Sequence, residues 1–379
     1  MAVTSASDGR EIPPLSGFAI GVTASRRAED LGALFIREGA RIQYAPAIRF
    51  LPFAEAAELH AATRRLLRER VDAVVATTGI GFRGWMEAAD GWGLREPLLR
   101  RLRGVQVLAR GEKARFAVCS AGLQEQYSPA SESAAEMVRH LLESGVDGRR
   151  IAVQLCGSAL PDVVTPLREA GAEVVEIPVY RWAEPADPGK LDRLLDAVLE
   201  GSIDALPFTS APAAKSMFAM AERTGRHRAV VDALKSRVVV SCVGPITARP
   251  FAALGIPTVA PARSRVGALV RVTVQTLRRH TTHIDANGTS LELRGQAVVV
   301  DGRLLETTPA QMAVLRALAT RPGWVISRSA LAAVLPGGGQ EHAVESAISR
   351  LRTKLGRPGL VQTVTKRGYR LAVPPASRA

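Results

Sequence analysis

The 379-residue chain reads as an α/β protein made of two similar halves, followed by a smaller basic module of helices and hairpins. Three observations predict this. Strand-like and helix-like runs alternate from Gly17 onward, as in parallel sheets covered by helices. Segments 132 residues apart match one another. The stretch from Ser290 to the end holds 13 Lys or Arg against 5 Asp or Glu, which is most of the chain's formal charge of +14.

At 47% hydrophobic residues the chain has material for two or three separate cores. No apolar run approaches the roughly 18 residues that a membrane span requires. The opening MAVTSASDGREIPPL lacks the charged and apolar regions of a secretory signal, so a cytoplasmic protein without membrane association is expected. Cys119, Cys156 and Cys242 are far apart in or beside apolar segments, which predicts buried, reduced thiols.

In the first 280 residues each half has the order strand, helix, strand with a proline, buried strand ending in Thr or Ser, helix, and strand ending at a glycine. The match places Gly39 over Gly171 and Pro46 over Pro178. It places Thr77 and Thr78 over Thr209 and Ser210 and, with the spacing longer by one residue, Gly111 over Gly244. Polar groups at the carboxyl ends of parallel strands sit where open α/β sheets bind ligands, and the helix N-termini that follow aim N–H groups at anions. The candidate ligand residues are therefore Thr77, Thr78, Gly79, Arg83, Arg110 and Lys113 in one half, and Thr209, Ser210, Lys215, Gly244 and Thr247 in the other. The two sets are expected to face one cleft suited to a ligand with several carboxylates or phosphates.

Other motifs point elsewhere only weakly. GIGFRG (79–84) fits a dinucleotide loop in spacing, but no acidic residue ending a second strand follows at about 20 residues, so the glycines read as a turn that lets a ligand or neighbouring backbone approach. His280 and His283 have a spacing that would suit a metal on a helix, yet no third ligand is near and no metal is expected. There is no Gly-x-Ser-x-Gly nucleophile turn, and no cofactor is implied.

The segments TSAPAAKSMF, CVGPITARPFAALGIP and IAVQLCGSALPDVVTPLREAGAEVVEIPVY resemble uroporphyrinogen-III synthase, the HemD family, over about residues 16–280. The resemblance implies a bilobal fold of two flavodoxin-like parallel-sheet lobes joined by a two-stranded ladder. Residues 16–48 and 181–281 would form one lobe and 49–180 the other. By the same resemblance Tyr180 lies beside the cleft and, in an active enzyme, assists departure of the substrate hydroxyl. This chain departs from the family at Trp182, two residues later, and in the glycine-rich TTGIGFRG loop.

After a polar stretch read as a linker (282–289) come the strand candidates LELRG, AVVVDG and RLLET. Thr308, Pro309 and Gln311 predict a capping box at the start of a helix, and Ser327 caps the next. In EHAVESAISRLRTKLG, Val344, Ile348, Leu351 and Leu355 share one arc, leaving His342, Ser346, Ser349, Arg350 and Thr353 on the far side, a surface fit for a major groove. Arg352 and Lys354 flank it, better placed for phosphates, and VQTVTKRGYRLAV reads as a hairpin tipped by Lys366 and Arg367.

These residues resemble the OmpR/PhoB-type winged helix-turn-helix domain of response regulators over about 290–375. The resemblance implies double-stranded DNA as partner, with Arg350 and Arg352 at the groove and backbone and Arg367 in the minor groove. It departs from that family at Leu335, Pro336 and Gly337, where a loop would touch RNA polymerase, and at Lys366 in place of the wing's first glycine.

Response regulators join such a module to a receiver domain. Here the synthase-like domain takes its place, so the expectation is a one-component DNA-binding transcriptional regulator that senses an anionic small molecule and is not an enzyme. The whole resembles bacterial regulators of nitrate and nitrite assimilation, a pathway linked to tetrapyrroles through sirohaem. RNA polymerase or another regulator is a candidate partner, and a homodimer on DNA is the default for such modules. The alternative is a working uroporphyrinogen-III synthase with an appended DNA-binding domain.

Overall fold

The computed structural model describes residues 12–52, 57–157, 160–336 and 338–373. It divides into two compact units, one of residues up to Ile48 and from Glu184 onward, the other Arg49–Ala183. Among the described residues the first element is the wholly buried β1 (Ala19–Val22), followed by α1 (Ala28–Arg37) and β2 (Arg41–Tyr44). Gly39, at φ +94°, makes the tight turn into β2. Its repeat partner Gly171 has φ +86°. A β-carbon is strained in that region of backbone space, which is why glycine recurs in both halves.

The second unit runs β3 (Arg49–Pro52), α2 (Ala57–Arg68), β4 (Ala73–Ala76), α3 (Gly79–Gly91), α4 (Arg95–Arg103) and β5 (Gln106–Ala109). It continues through α5 (Glu112–Ser120), α6 (Ala134–Glu143), β6 (Arg150–Gly157), α7 (Pro161–Glu169) and β7 (Glu173–Ala183). Its sheet has the order β3-β7-β6-β4-β5, parallel except for β3, which pairs antiparallel with β7 from Arg49 opposite Ala183. The chain thus enters and leaves this unit through one two-stranded ladder. Phe82 and Trp85 of α3 and Leu98 and Leu102 of α4 are fully buried against the sheet. The indole N–H of Trp85 donates to the buried Thr63 hydroxyl at 2.9 Å, so the largest core side chain leaves no polar atom unpaired.

The first unit resumes with α8 (Pro188–Leu199), β8 (Ala205–Phe208), α9 (Ala211–Arg223), α10 (His227–Ser236), β9 (Val239–Cys242), α11 (Pro245–Ala252), β10 (Thr258–Val259) and α12 (Val266–Arg279). The sheet order β10-β9-β8-β1-β2 is parallel throughout. Counted along this fold the order is 2-1-3-4-5, the flavodoxin-like arrangement. The other sheet repeats it as β7-β6-β4-β5, with Tyr127 bridging Leu108 in the fifth place. Ile20 pairs with Ala205 as Ile151 pairs with Ala73, so the register is repeated too.

The terminal module comprises β11 (Thr282–Ala286), β12 (Thr289–Arg294), β13 (Ala297–Val300), β14 (Arg303–Glu306), α13 (Pro309–Thr320), α14 (Arg328–Ala333), α15 (Glu341–Leu355), β15 (Val361–Val364) and β16 (Gly368–Leu371). Residues 282–289, expected to be a linker, instead supply β11 and the turn into β12 in a four-stranded antiparallel sheet. β11 is an edge strand with three of its five residues exposed, so its composition is that of a linker while its backbone is paired. The capping box at Thr308 and Gln311 is present, and Ser327 accepts from the Ala330 N–H. Ile326 and Tyr369 exchange both backbone hydrogen bonds, tying the second wing strand to the start of α14. A β-carbon on Gly368 would lie 2.0 Å from the Ile326 carbonyl oxygen, which explains the wing glycine that the sequence retains.

Candidate functional site

In each sheet the point where strand order reverses lies between the first and third strands of the fold, and ligands of such folds bind outside the carboxyl ends there. In the second unit this point brings together the end of β4 and the middle of β6. The Thr77 hydroxyl donates to the Gln154 carbonyl oxygen at 2.8 Å and is buried, so Thr77 is part of the wall. The Thr78 side chain caps α3, accepting from the Gly81 N–H at 3.2 Å. It also accepts from Gln154 Nε2 at 2.9 Å and lies 3.5 Å from the Tyr180 hydroxyl. Gln154 is wholly buried and its Oε1 has no hydrogen-bond partner among the described residues.

Sequence reasoning missed Gln154. Its signal was a lone amide in the apolar strand IAVQLCG, and its importance depends on which strand lies beside it. Tyr180 is buried at 4% exposure, with its ring centroid 4.6 Å from that of Phe50 and 5.3 Å from that of Trp182. Trp182 in turn covers Gly157, where a β-carbon would fall 2.3 Å from the indole nitrogen.

The glycines of GIGFRG form the first turns of α3 rather than an open loop. A β-carbon on Gly79 would lie 2.1 Å from the Lys113 carbonyl oxygen, and one on Gly81 would lie 2.1 Å from Gln154 Nε2. They permit close helix packing. Arg83 and Lys113 are exposed, and Arg110 is half-buried at the end of β5. Beside Arg110, Gly111 opens α5, whose first N–H, on Glu112, donates to the Glu132 carboxylate at 3.3 Å. A protein carboxylate already stands at that helix N-terminus.

The first unit repeats the arrangement. Ser210 precedes α9 with φ −154° and ψ 143°, against −143° and 139° at Thr78 before α3. Gly244 precedes α11 with φ −177° and ψ 176°, against −172° and 179° at Gly111. Thr209 and Ser210 are half-buried, Thr247 is buried and Lys215 is exposed. Ser264 stands over Gly244 as Glu132 stands over Gly111. By the repeated register Thr23 occupies the position of Gln154, and its buried hydroxyl also has no partner among the described residues.

His280 caps α12, whereas His283 lies in β11 with Nε2 4.0 Å from Glu292. Among the described residues no group of three potential metal ligands occurs. Cys242 is buried, and burial pushes its thiol up to about 12. Cys119, expected to be buried, is exposed at the end of α5 because it follows the buried Ala117 and Val118 on the outer side of the helix. The side chain of Cys156 lies outside the described residues.

On α15 the buried residues are Val344, Ala347, Ile348, Leu351 and Leu355. His342, Ser349, Arg350, Thr353 and Lys354 are exposed and Ser346 is half-buried. Arg352 faces the wing: its guanidinium donates to the Val361 carbonyl oxygen and to the Thr363 hydroxyl, both at 2.8 Å, and lies 5.8 Å from the Tyr369 ring centre. Lys366 and Arg367 are exposed at the hairpin tip, with Lys366 at φ +59°.

Two parallel-sheet lobes of one topology, followed by a helical domain with a β-hairpin wing, define a protein of synthase-like fold carrying a DNA-binding domain. The family model "Uroporphyrinogen-III synthase HemD" matches residues 29–271, and the chain belongs to that family. A second model, "Transcriptional regulatory protein, C terminal", matches residues 302–371, so the terminal module is a response-regulator winged helix of the OmpR/PhoB type, a domain that binds double-stranded DNA. The chain is 27% identical to "Uncharacterized protein YjjA" of Bacillus subtilis (strain 168) over 257 residues, 68% of this chain and 94% of that protein. It is 32% identical over 145 residues to "Putative uroporphyrinogen-III synthase" of Methanothermobacter thermautotrophicus, 38% of this chain and 56% of that one. A mutant uroporphyrinogen III synthase from the extremely thermophilic bacterium Thermus thermophilus superposes with a TM-score of 0.58 at 28% identity, covering 69% of this chain and 99% of that chain. No helix among the described residues is long and apolar enough to cross a membrane.

Proposed function

We propose that the protein is a one-component transcriptional regulator in which the HemD-like part senses an anionic small molecule and the winged helix reads DNA. The observation that carries this reading is the joining, in one chain, of a HemD domain to a winged helix whose exposed face on α15 is polar and basic. The unpartnered oxygens of Thr23 and Gln154 support a ligand at the reversal points of the sheets, with Thr78, Ser210 and the N-termini of α3 and α9 beside them. Tetrapyrrole acids are the first ligands to test because the fold is that of a tetrapyrrole-closing enzyme, and genes of nitrate and nitrite assimilation are the candidate targets. The domain division proposed with it places residues 16–48 and 181–281 in one lobe and 49–180 in the other.

Thermal melts of the full chain against tetrapyrrole acids, nitrite and phosphate test the sensing step. A ligand that binds only the folded state stabilises it by about 2.7 kcal/mol at one hundred times its dissociation constant. That shift should vanish in Thr78→Val with Ser210→Val. If no anion raises the melting temperature, the sensor reading fails.

A second reading, a working uroporphyrinogen-III synthase, is favoured by the 3.5 Å approach of the Tyr180 hydroxyl to Thr78. Conversion of hydroxymethylbilane to the type III isomer by the purified chain, lost in Tyr180→Phe, would establish it.

A further inference from the structure

The winged-helix domain meets the first sheet at its amino end, opposite to the end that carries Thr23, Thr209 and Ser210. Phe18, Asp204 and Val238 stand just before β1, β8 and β9 at this seam. The Gln296 N–H donates to the Gly17 carbonyl oxygen at 2.6 Å, and its side-chain amide donates to that of Gly201 at 2.7 Å. Asp204 accepts from the Ala19 N–H at 2.8 Å, and Arg316 of α13 reaches within 3.9 Å of its other oxygen while donating to the Gly295 carbonyl at 2.6 Å. A β-carbon on Gly295 would lie 2.6 Å from the Asp204 carboxylate and 2.7 Å from the Gly17 carbonyl oxygen. Fit this close marks a formed junction rather than a passing contact.

Beside the junction opens a cavity of about 640 Å³, within the range of about 300–1,000 Å³ usual for small-molecule sites. Its floor is apolar and comes from both domains, with Phe18, Leu234 and Leu277 from one and Leu293 and Ala319 from the other. Its rim is cationic. Lys235 and Arg316 are exposed there, Arg316 with one nitrogen on the Gly295 carbonyl, while Arg237 is engaged with the carbonyls of Val198 and Leu199. Asp204 is the one acid among the described lining residues, and it is buried. Burial raises its carboxyl to about 6, so its negative charge is complete only well above that pH.

We propose that this cavity binds a small organic anion with an apolar body, the acid group held at the rim by Lys235 and Arg316 and the body lying on the floor shared by the two domains. The anion's charge answers the exposed cations, and its apolar part removes from water a surface that neither domain covers alone. A ligand bound here touches the synthase-like lobe and the DNA-binding domain at once. This site lies at the opposite end of the sheet from the proposed sensing turns and does not depend on them.

The test titrates the full chain with anilinonaphthalene sulfonate, an aromatic anion that fluoresces in apolar sites, and competes it with octanoate or with octylamine. The expected result is one probe per chain, displaced by octanoate and not by octylamine. Lys235→Glu, a change at an exposed position, should weaken the probe by about tenfold or more, the scale of one charged contact. Thr276→Trp, which fills the cavity from α12, should abolish uptake. Equal displacement by octylamine overturns the anionic class, and wild-type uptake by Lys235→Glu overturns the site. DNA affinity measured on the same preparations without probe tests the regulator reading separately; a chain that takes up the anion yet binds no DNA fails that reading and keeps this one.

Discussion

Gln154 donates through Nε2 to the Thr78 hydroxyl at 2.9 Å while its side-chain oxygen Oε1 is buried without a partner among the described residues. A buried acceptor left in this state costs about 1–3 kcal/mol. The Thr23 hydroxyl has the same fate at the matching place of the other sheet. Both stand where the strand order of their own sheet reverses, so the fold carries the same polar defect twice, once in each parallel sheet. Polar groups retained at such a cost fit the proposed sensing role, in which the ligand supplies the missing partners.

Thr23→Val follows as a test. The change keeps shape and removes the unpartnered hydroxyl, so the ligand-free chain should gain about 1 kcal/mol in urea denaturation. The stabilisation given by a bound tetrapyrrole acid should fall at the same time. A loss of stability in the ligand-free chain would mean that the hydroxyl is satisfied in solution.

How much of this was legible in the sequence depended on whether a residue's role is local. Gly39 with Gly171 betrayed the repeat because a turn at positive φ restricts the backbone at each position alone, whereas Gly111 and Gly244 lie in extended backbone and owe their match to Glu132 and Ser264 standing over them. The capping box at Thr308 and the buried arc of α15 were legible for the same reason. Gln154 was not, because its meaning comes from Thr78, 76 residues away. Asp204 sits in SIDALPF like any residue before a strand, and only docking of Gln296 and Arg316 makes it a junction. β11 was hidden by the polar composition of an edge strand, and the bracing role of Arg352 by the distance along the chain to Val361 and Thr363.

Lys366 holds φ +59°, a conformation that costs a side-chain-bearing residue about 1–2 kcal/mol and glycine little. Lys366→Gly should therefore stabilise the wing by up to about 1 kcal/mol, less than the full strain because glycine adds freedom to the unfolded chain. It should also weaken DNA binding through loss of a tip cation. Gain of stability together with loss of affinity is the expected pair, and unchanged affinity would remove Lys366 from the interface.

The junction should respond to pH through Asp204. Its carboxyl is raised to about 6, by burial first and against the Ala19 hydrogen bond and the Arg316 charge, which lower it. A folded value above the unfolded one means that the folded state binds the proton more tightly. The stability it contributes is full below the unfolded value of 3.8 and is lost as pH rises through about 6. Asp204→Asn lacks this dependence. Between about pH 4 and about pH 8 the stability of that variant should improve relative to wild type by about 2–3 kcal/mol in parallel denaturation series. Parallel curves would mean that Asp204 is ionised at little cost.

The two arginines of α15 should separate cleanly. Arg350 is exposed on the side away from Val344, Ile348 and Leu351, where a guanidinium can reach a guanine edge; losing such a contact costs about 1–3 kcal/mol at one base position. Arg352 braces the wing through Val361, Thr363 and the Tyr369 ring. Arg350→Ala should weaken a preferred operator far more than random DNA and leave the melting temperature of the domain unchanged. Arg352→Ala should lower that temperature, because a charged hydrogen bond contributes about 1.5–3 kcal/mol, and should weaken every DNA sequence alike by loosening the hairpin. Lys354→Ala should weaken both kinds of DNA and reduce the salt slope by about one. Equal losses on operator and random DNA for Arg350→Ala, at matched salt, would put a different face of α15 in the groove.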